Sequence, residues 1–384
     1  MSGHKLHSRM DSPASIVFNA YLLAQSGYGA AARAYAEALR ETTFQISTVD
    51  RDPTHPRSGK ARSSSLAPVL ILCHVEVREL STLLPLRKRL VVLTTWETDS
   101  LPRSHVSLLN SIREVWVPSW FNKRTFEQAL DVPVFRLPHP ARTRPSIPRT
   151  RTVRALLCIP IEAFLFASVA TWQTRKNLNG VIVAFLRAYR RGDNAVLVIK
   201  TRFAFADKDS AIRHVHHLVS MWHPEGLSDL HSRIIIIDDE WPEQQVLHLI
   251  QEADCYLSLH RGEGWCYPLF DAACYGIPVI ATAYSGPMDY LANSPHGLVS
   301  FRTIPVTTDE GSHSFQFTDA MSWADPDLEH ASCLIRETID HMQHKKQQAL
   351  AWAVKLSAEY SPSAVGQLAN ARLVHLLDSP TNSS

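Results

Sequence analysis

Short apolar runs alternate with longer helix-like stretches along most of the chain, and this alternation limits the fold more than any other feature of the sequence. Strand, helix, strand in regular succession is the pattern of a parallel sheet joined by crossover helices. In the first half, "SIVFNAYLL", "FQISTV", "PVLILCHV", "RLVVLTTW" and "REVWVPS" read as strands, and "GAAARAYAEALRE" as the helix after the first of them. Residues 51–68, polar and rich in Pro and Ser, read as a loop. From Arg142 to Arg154 the chain holds five arginines and no acid, with prolines between them, which is the composition of a solvated linker. The alternation then resumes with "FLFASVAT", "NAVLVIKT", "RIIIID", "CYLSLH" and "PVIATA" as strands and "NLNGVIVAFLRAYRRG" and "PEQQVLHLIQEA" among the helices. The expected fold is therefore α/β, with two Rossmann-like units, 1–150 and 151–360, whose parallel sheets face each other across a cleft. The remaining segment, 361–384, falls mostly in the amphipathic "PSAVGQLANARLVHLL", a helix able to lie across either unit.

At 384 residues, 45% of them hydrophobic, the chain is long enough for two cores. Its formal net charge of +2 leaves no broad basic face and argues against a nucleic-acid partner. No apolar run approaches the roughly 20 residues of a membrane span, and the first residues lack a signal-type apolar segment. A cytoplasmic location is expected, with peripheral contact to the inner membrane surface through the arginine-rich linker as the alternative to free solution. The six cysteines form no CxxC pair and read as reduced, buried thiols rather than a disulfide or zinc framework. The histidines of "RHVHHLVSMWH", residues 213–223, belong to no HExxH motif and read as a solvated helix face, so no metal site is expected.

The chemistry concentrates in "HRGEGWCYPLFDAACYGIPVIATAYSG", residues 260–286. A carboxylate between two glycines, Gly262-Glu263-Gly264, leaves an apolar strand, and Pro268 suits the first turn of the helix that follows. That loop lies at the carboxyl end of a strand, where ligands dock in open α/β sheets, and the helix start presents free N–H groups to an anion. Asp271 sits in the first turns of the same helix. Acids there cost free energy unless something is bound to them, and a ligand with phosphates and hydroxyls would use both the amides and the carboxylates.

This stretch resembles the donor site of retaining glycosyltransferases with the GT-B fold, family 4 type, whose hallmark is Glu, seven residues, Glu. Here Glu263 matches the first acid, and Asp271, one methylene shorter, stands at the second. The resemblance implies that Glu263 contacts hydroxyls of the transferred sugar and that Asp271 holds the nucleotide ribose. It implies donor contacts from Gly264, Trp265, Cys266 and Tyr267. "QSGYGAAAR" resembles the family's glycine-rich first loop, which places Gly27, Tyr28 and Gly29 against the donor. "RKNLNGVIVAFLRAY" and "AVLVIKT" resemble segments that bring basic groups to the pyrophosphate, here Lys176 and Lys200, and no arginine stands near Ala170-Thr171 where the family usually has one. "LTTWETDSLP" resembles a branch that builds bacterial surface polysaccharides, with Trp96-Glu97 on the acceptor side in place of a loop histidine. The implied partners are a nucleotide sugar and a glycan or lipid-linked acceptor, with no cofactor and no required metal.

Two other readings stay open on the residues alone. "GYGAAA" followed by Asp50 at the end of the next strand mimics a dinucleotide fingerprint, so an NAD-dependent oxidoreductase is one alternative. A catalytically inactive sugar-binding protein is another. Lys176 and Lys200 are either solvated surface charges or phosphate ligands, Asp271 either a helix-dipole partner or a ligand, and Trp96-Glu97 either core and surface or acceptor site.

Overall fold

The computed structural model describes residues 15–51, 69–146, 152–202, 208–222, 230–306 and 317–378. Nearly all of the 51–68 loop expectation, and Arg149 and Arg151 of the linker, lie outside the described residues.

The first apolar run forms β1 (Ile16–Ala20), and α1 (Gly27–Leu39) starts where Ser26 caps the amide of Gly29. Then follow β2 (Ile46–Asp50), β3 (Leu70–His74), β4 (Leu90–Leu93), α2 (Arg103–Leu109), β5 (Glu114–Val117), α3 (Trp120–Glu127) and β6 (Val134–Arg136). These strands pair in the order β2-β1-β3-β4-β5-β6, every ladder parallel. The second half runs α4 (Val153–Leu156), β7 (Phe164–Val169), α5 (Leu178–Ala188), β8 (Ala195–Lys200), α6 (Lys208–Trp222), β9 (Ile234–Ile237) and α7 (Glu243–Glu252). It continues with β10 (Cys255–Ser258), α8 (Tyr267–Cys274), β11 (Val279–Thr282), α9 (Met288–Leu291) and β12 (Gly297–Val299). This sheet is also parallel, in the order β12-β11-β10-β7-β8-β9. Strands such as β3, β4, β8 and β10 are buried at every position rather than alternating, because helices cover both faces of a parallel sheet.

Two features depart from the sequence reading. The chain between β12 and the C-terminal helices forms an antiparallel hairpin, β13 (Phe301–Pro305) with β14 (Ser322–Pro326), that the apolar pattern did not announce. Trp323 of β14 and the flanking Val306 and Met321 join the core of the first half rather than the second. Asp99 accepts a hydrogen bond from the Ser322 amide at 2.7 Å, and the hairpin's exit lies against Arg261, whose guanidinium meets Asp325 at 2.6 Å. Long-range tertiary contact, not local periodicity, decides such a segment.

The arginine-rich linker is the second departure. Arg142 pairs with Asp271 and Glu243, and Arg154 is buried against the carbonyls of Pro160 and Ala163 and the carboxylate of Asp254. Arg144 donates to the Tyr275 carbonyl at 3.3 Å. The guanidiniums of Arg142, Arg144 and Arg154 are satisfied by acids and carbonyls of the second half. The linker is an anchored strap, and these three charges do not form a free surface patch. Among the described residues no helix is long and apolar enough to cross a membrane.

The chain closes with α10 (Leu328–Asp340), α11 (Met342–Glu359) and α12 (Pro362–Asp378). The last of these packs on α1: Asn370 accepts from Thr43, and Arg372 forms a forked pair with buried Glu114 of β5 at 2.6 and 2.8 Å. Gly366 lets the two helices approach, since a Cβ there would overlap the Ala38 carbonyl. Gly366→Ala should therefore destabilise the protein by about 1–3 kcal/mol, although alanine is the better helix former by about 1 kcal/mol. Urea unfolding measures this, and a raised midpoint at unchanged slope would contradict the helix contact.

Candidate functional site

In the second sheet β7 and β10 lie side by side although α5, β8, β9 and α7 separate them in sequence. Loops leaving such a pair diverge to opposite faces and open a crevice at the carboxyl ends of the strands. The β7 loop carries Arg175 and Lys176, the β10 loop carries Glu263, and Lys200 ends β8 on the far side of β7. All four line a cavity of about 760 Å³ between the two halves of the molecule.

Glu263 is 4% exposed. One of its oxygens takes the Lys176 ammonium and the other lies 3.3 Å from Arg175, while its amide donates to Ser285 at 2.9 Å. Burial pushes its carboxyl up, but Lys176 and then Arg175 outweigh that and hold it down at about 2. The acid is thus ionised at any physiological pH, and its share of stability would be lost only as pH falls from its unfolded value toward about 2.

The flanking glycines have a steric cause. A Cβ on Gly262 would overlap the Glu97 carbonyl, and one on Gly264 would overlap the Thr95 hydroxyl. Backbone from the first half therefore presses directly on the loop that carries Glu263. Arg175 ties the same junction, donating to the Gly262 carbonyl at 2.8 Å and meeting Glu97 at 3.3 Å. Sequence reading passed over Arg175 because it looked several residues upstream, at Ala170-Thr171, for the basic partner of Lys176.

After the loop the backbone turns through Cys266 at φ 68°, a left-handed conformation that non-glycine residues rarely adopt. This turn opens α8, whose first amides receive no side-chain cap, and free N–H groups at a helix start favour an anion. Gly264, Trp265, Cys266 and Tyr267 all reach the cavity wall. Burial raises the Cys266 thiol to about 12, Glu263 adding to the effect, so it stays protonated. Lys200 is not at the rim as a surface charge would be: it is 4% exposed and donates to the Thr201 carbonyl. Burial lowers its pKa, with the Asp238 carboxylate opposing.

Asp271 is buried one layer below and does not line the cavity. Both of its oxygens are taken by Arg142, whose guanidinium stacks 4.9 Å from the Tyr267 ring centre and faces the cavity. Burial raises the Asp271 pKa and Arg142 opposes the rise. On its outer side Arg142 also meets Glu243, and Glu243 in turn meets Arg33 of α1 at 2.6 Å. The chain of charges thus runs from the core of the second half, through the strap, to the first half.

From the first half, Gly27, Tyr28, Trp96 and Glu97 line the cavity, whereas Gly29 lies behind the wall. Trp96 is mainly core, with its indole N–H on Thr98 and Ser100, both at 2.7 Å. Glu97 has its pKa raised by burial, against the pull of Arg175. His74, at the end of β3, and His139 also reach the cavity. Burial lowers His74 to about 3, and burial together with His74 keeps His139 neutral. Neither Nδ1 has a partner among the described residues. These two histidines were missed because single histidines before or within apolar runs carry no pattern. Asp50, the acid of the dinucleotide-like fingerprint, accepts from the amides of Leu22 and Leu23 through one oxygen at 2.7 and 3.1 Å and does not line the cavity, so nothing here supports the oxidoreductase reading. Among the described residues no cluster of His, Cys, Asp and Glu could hold a metal ion.

Residues 228–304 match the profile of the family described as Glycosyl transferases group 1, a span that holds both Glu263 and Asp271. No curated protein matches the sequence. Among solved structures the chain is similar to a glycosyltransferase from Rickettsia africae, at 11% identity and a TM-score of 0.67, over 96% of this chain and 100% of that one. It is also similar to HepE of Anabaena in complex with UDP-glucose, at 14% identity and a TM-score of 0.64, over 94% and 99%. A mutant of S. aureus TarM, in complex with fondaparinux, alpha-GlcNAc-glycerol and UDP, matches at 10% identity and a TM-score of 0.57 over 81% of this chain. The chain spans only 55% of the length of that TarM. At such identities these likenesses establish the fold, which is GT-B: two Rossmann-like sheets facing across a cleft.

Gly262→Ala tests whether the junction matters. Its methyl would push the Glu97 carbonyl away and open the contact between the halves, so turnover should fall by about 10²-fold with a drop in melting temperature of only a few degrees. Full turnover by the variant would show that the halves need not meet at Gly262.

Proposed function

We propose that this glycosyltransferase moves a sugar from a nucleoside-diphosphate sugar to a hydroxyl of a glycan or lipid-linked acceptor, with retention at the anomeric carbon. The observation that carries the reading is Glu263, kept ionised at about 2 at the switch point of the second sheet, beside Lys176, Arg175, Lys200 and the uncapped start of α8. The costly step is cleavage of the glycosyl–phosphate bond, in which negative charge builds on the departing diphosphate. The α8 amides, Lys200, Lys176 and Arg175 are fixed in place before the reaction and stabilise that charge as it develops. Glu263 accepts hydrogen bonds from hydroxyls of the sugar, which shifts along the reaction coordinate while the nucleotide stays still. The acceptor approaches from the first half, where the edge of Trp96 and the neutral His74 and His139 offer a surface for a sugar ring and its hydroxyls. Retention rests on the resemblance of 260–286 to family 4. Lysines, an arginine and a helix terminus supply the positive charge at the leaving group, so turnover should be unchanged in EDTA.

UDP, GDP, ADP and CMP compared by thermal shift should single out one diphosphate, because a ligand that binds only the folded state raises its melting temperature by an amount set by its affinity. Glu263→Gln should cut the chemical rate by about 10²-fold or more. It should leave affinity for the bare diphosphate equal or somewhat tighter, since Lys176 and Arg175 are then released to it. Equal losses of rate and affinity would reduce Glu263 to a structural counter-ion. Lys200→Ala should lower turnover by about 10²-fold, and wild-type kinetics in a folded variant would remove Lys200 from the site.

A further inference from the structure

We propose that the nucleotide's ribose is read by Glu243 together with Arg142, and that Asp271 acts beneath them as a positioning residue. The inference rests on the nucleoside-diphosphate reading of the cavity. The order of the layers motivates it. Asp271 is 1% exposed and does not line the cavity, and each of its oxygens accepts from Arg142. A ribose could reach that carboxylate only by displacing a guanidinium that also stacks on Tyr267. Breaking a buried, forked pair of this kind leaves an uncompensated charge, a heavy cost for one hydroxyl contact.

Glu243 also has both oxygens paired, one with Arg142 and one with Arg33 at 2.6 Å, but its pair with Arg33 is part-exposed and costs little to open. Glu243 stands at the first position of α7, its side chain is 30% exposed, and it lines the cavity. Arg142 beside it keeps N–H groups that Asp271 does not use. A carboxylate that accepts and a guanidinium that donates, side by side on one wall, match a vicinal diol, whose hydroxyls each donate and accept. The same wall continues along α7 with Trp241, Val246, Leu247 and Ile250, an apolar surface suited to a flat base next to its ribose. The link from Glu243 to Arg33 of α1 further joins this wall to the first half, so ribose recognition and the contact between the halves share one carboxylate.

The test compares a ribonucleotide with its 2′-deoxy analogue. The best binder among UDP, GDP and ADP is titrated by calorimetry beside its 2′-deoxy form, against wild type, Glu243→Gln and Asp271→Asn. Wild type should prefer the ribo form by about tenfold or more, the worth of a charged hydrogen bond. Glu243→Gln should bring the preference close to one by weakening the ribo form alone, with melting temperature nearly unchanged because the residue is part-exposed. Asp271→Asn should lower melting temperature and weaken both forms together. Retention of the preference by Glu243→Gln, or its absence in wild type, overturns the inference while leaving the enzyme reading intact. If no diphosphate binds wild type at all, the nucleotide-sugar reading falls and this inference with it.

Discussion

Glu263 is a fully buried carboxylate between an ammonium and a guanidinium, and most of the architecture around it follows from the need to keep that charge satisfied. A lone ion in this position would neutralise itself or unfold its loop. Lys176 and Arg175 prevent this, and they arrive from a loop 87 residues away because parallel strands β7 and β10 are neighbours. The two glycines beside Glu263 let the Glu97 carbonyl and the Thr95 side chain of the first half close over it, and Arg175 is bonded to both halves at that junction. The site is therefore shared by the two sheets rather than owned by one.

A second set of charges repeats this logic nearer the mouth of the cleft. Asp271, Arg142, Glu243 and Arg33 alternate in sign from the buried face of α8 to the exposed edge of α1. Each acid costs desolvation that its neighbour offsets, and removal of Arg142 would strand the deeply buried Asp271. Exposure increases along the chain of charges, from 1% at Asp271 to about a third at Arg33. Stability is concentrated at the inner end, and ligand exchange is possible at the outer one.

The hairpin β13–β14 and helix α12 add two further ties. Both leave the second half and pack on the first, one through Trp323 and Met321 in its core and the other through the Arg372–Glu114 pair. With the strap around Arg142, the chain crosses between its halves in several places. Motion of one sheet against the other must then be small, or must pivot about these contacts.

The sequence by itself determined the local and periodic properties. Alternating apolar runs specified two parallel sheets, and the loop at 260–267 specified an acid at a strand end before a helix start, because strand, turn and helix signals are carried by residues close together in the chain. Glu263, Lys176 and Lys200 could be placed at strand ends and helix starts for this reason. Tertiary structure alone decided which charges meet. Arg142 was legible only as part of a polar, prolyl segment, Glu243 only as a helix-start acid, and Arg175 only as the neighbour of a lysine. Their partners lie between 78 (Arg175 to Glu97) and 210 residues (Glu243 to Arg33) away. Pairing at that range depends on strand order and on how far each group is withdrawn from water, and neither quantity is written in any short stretch of sequence.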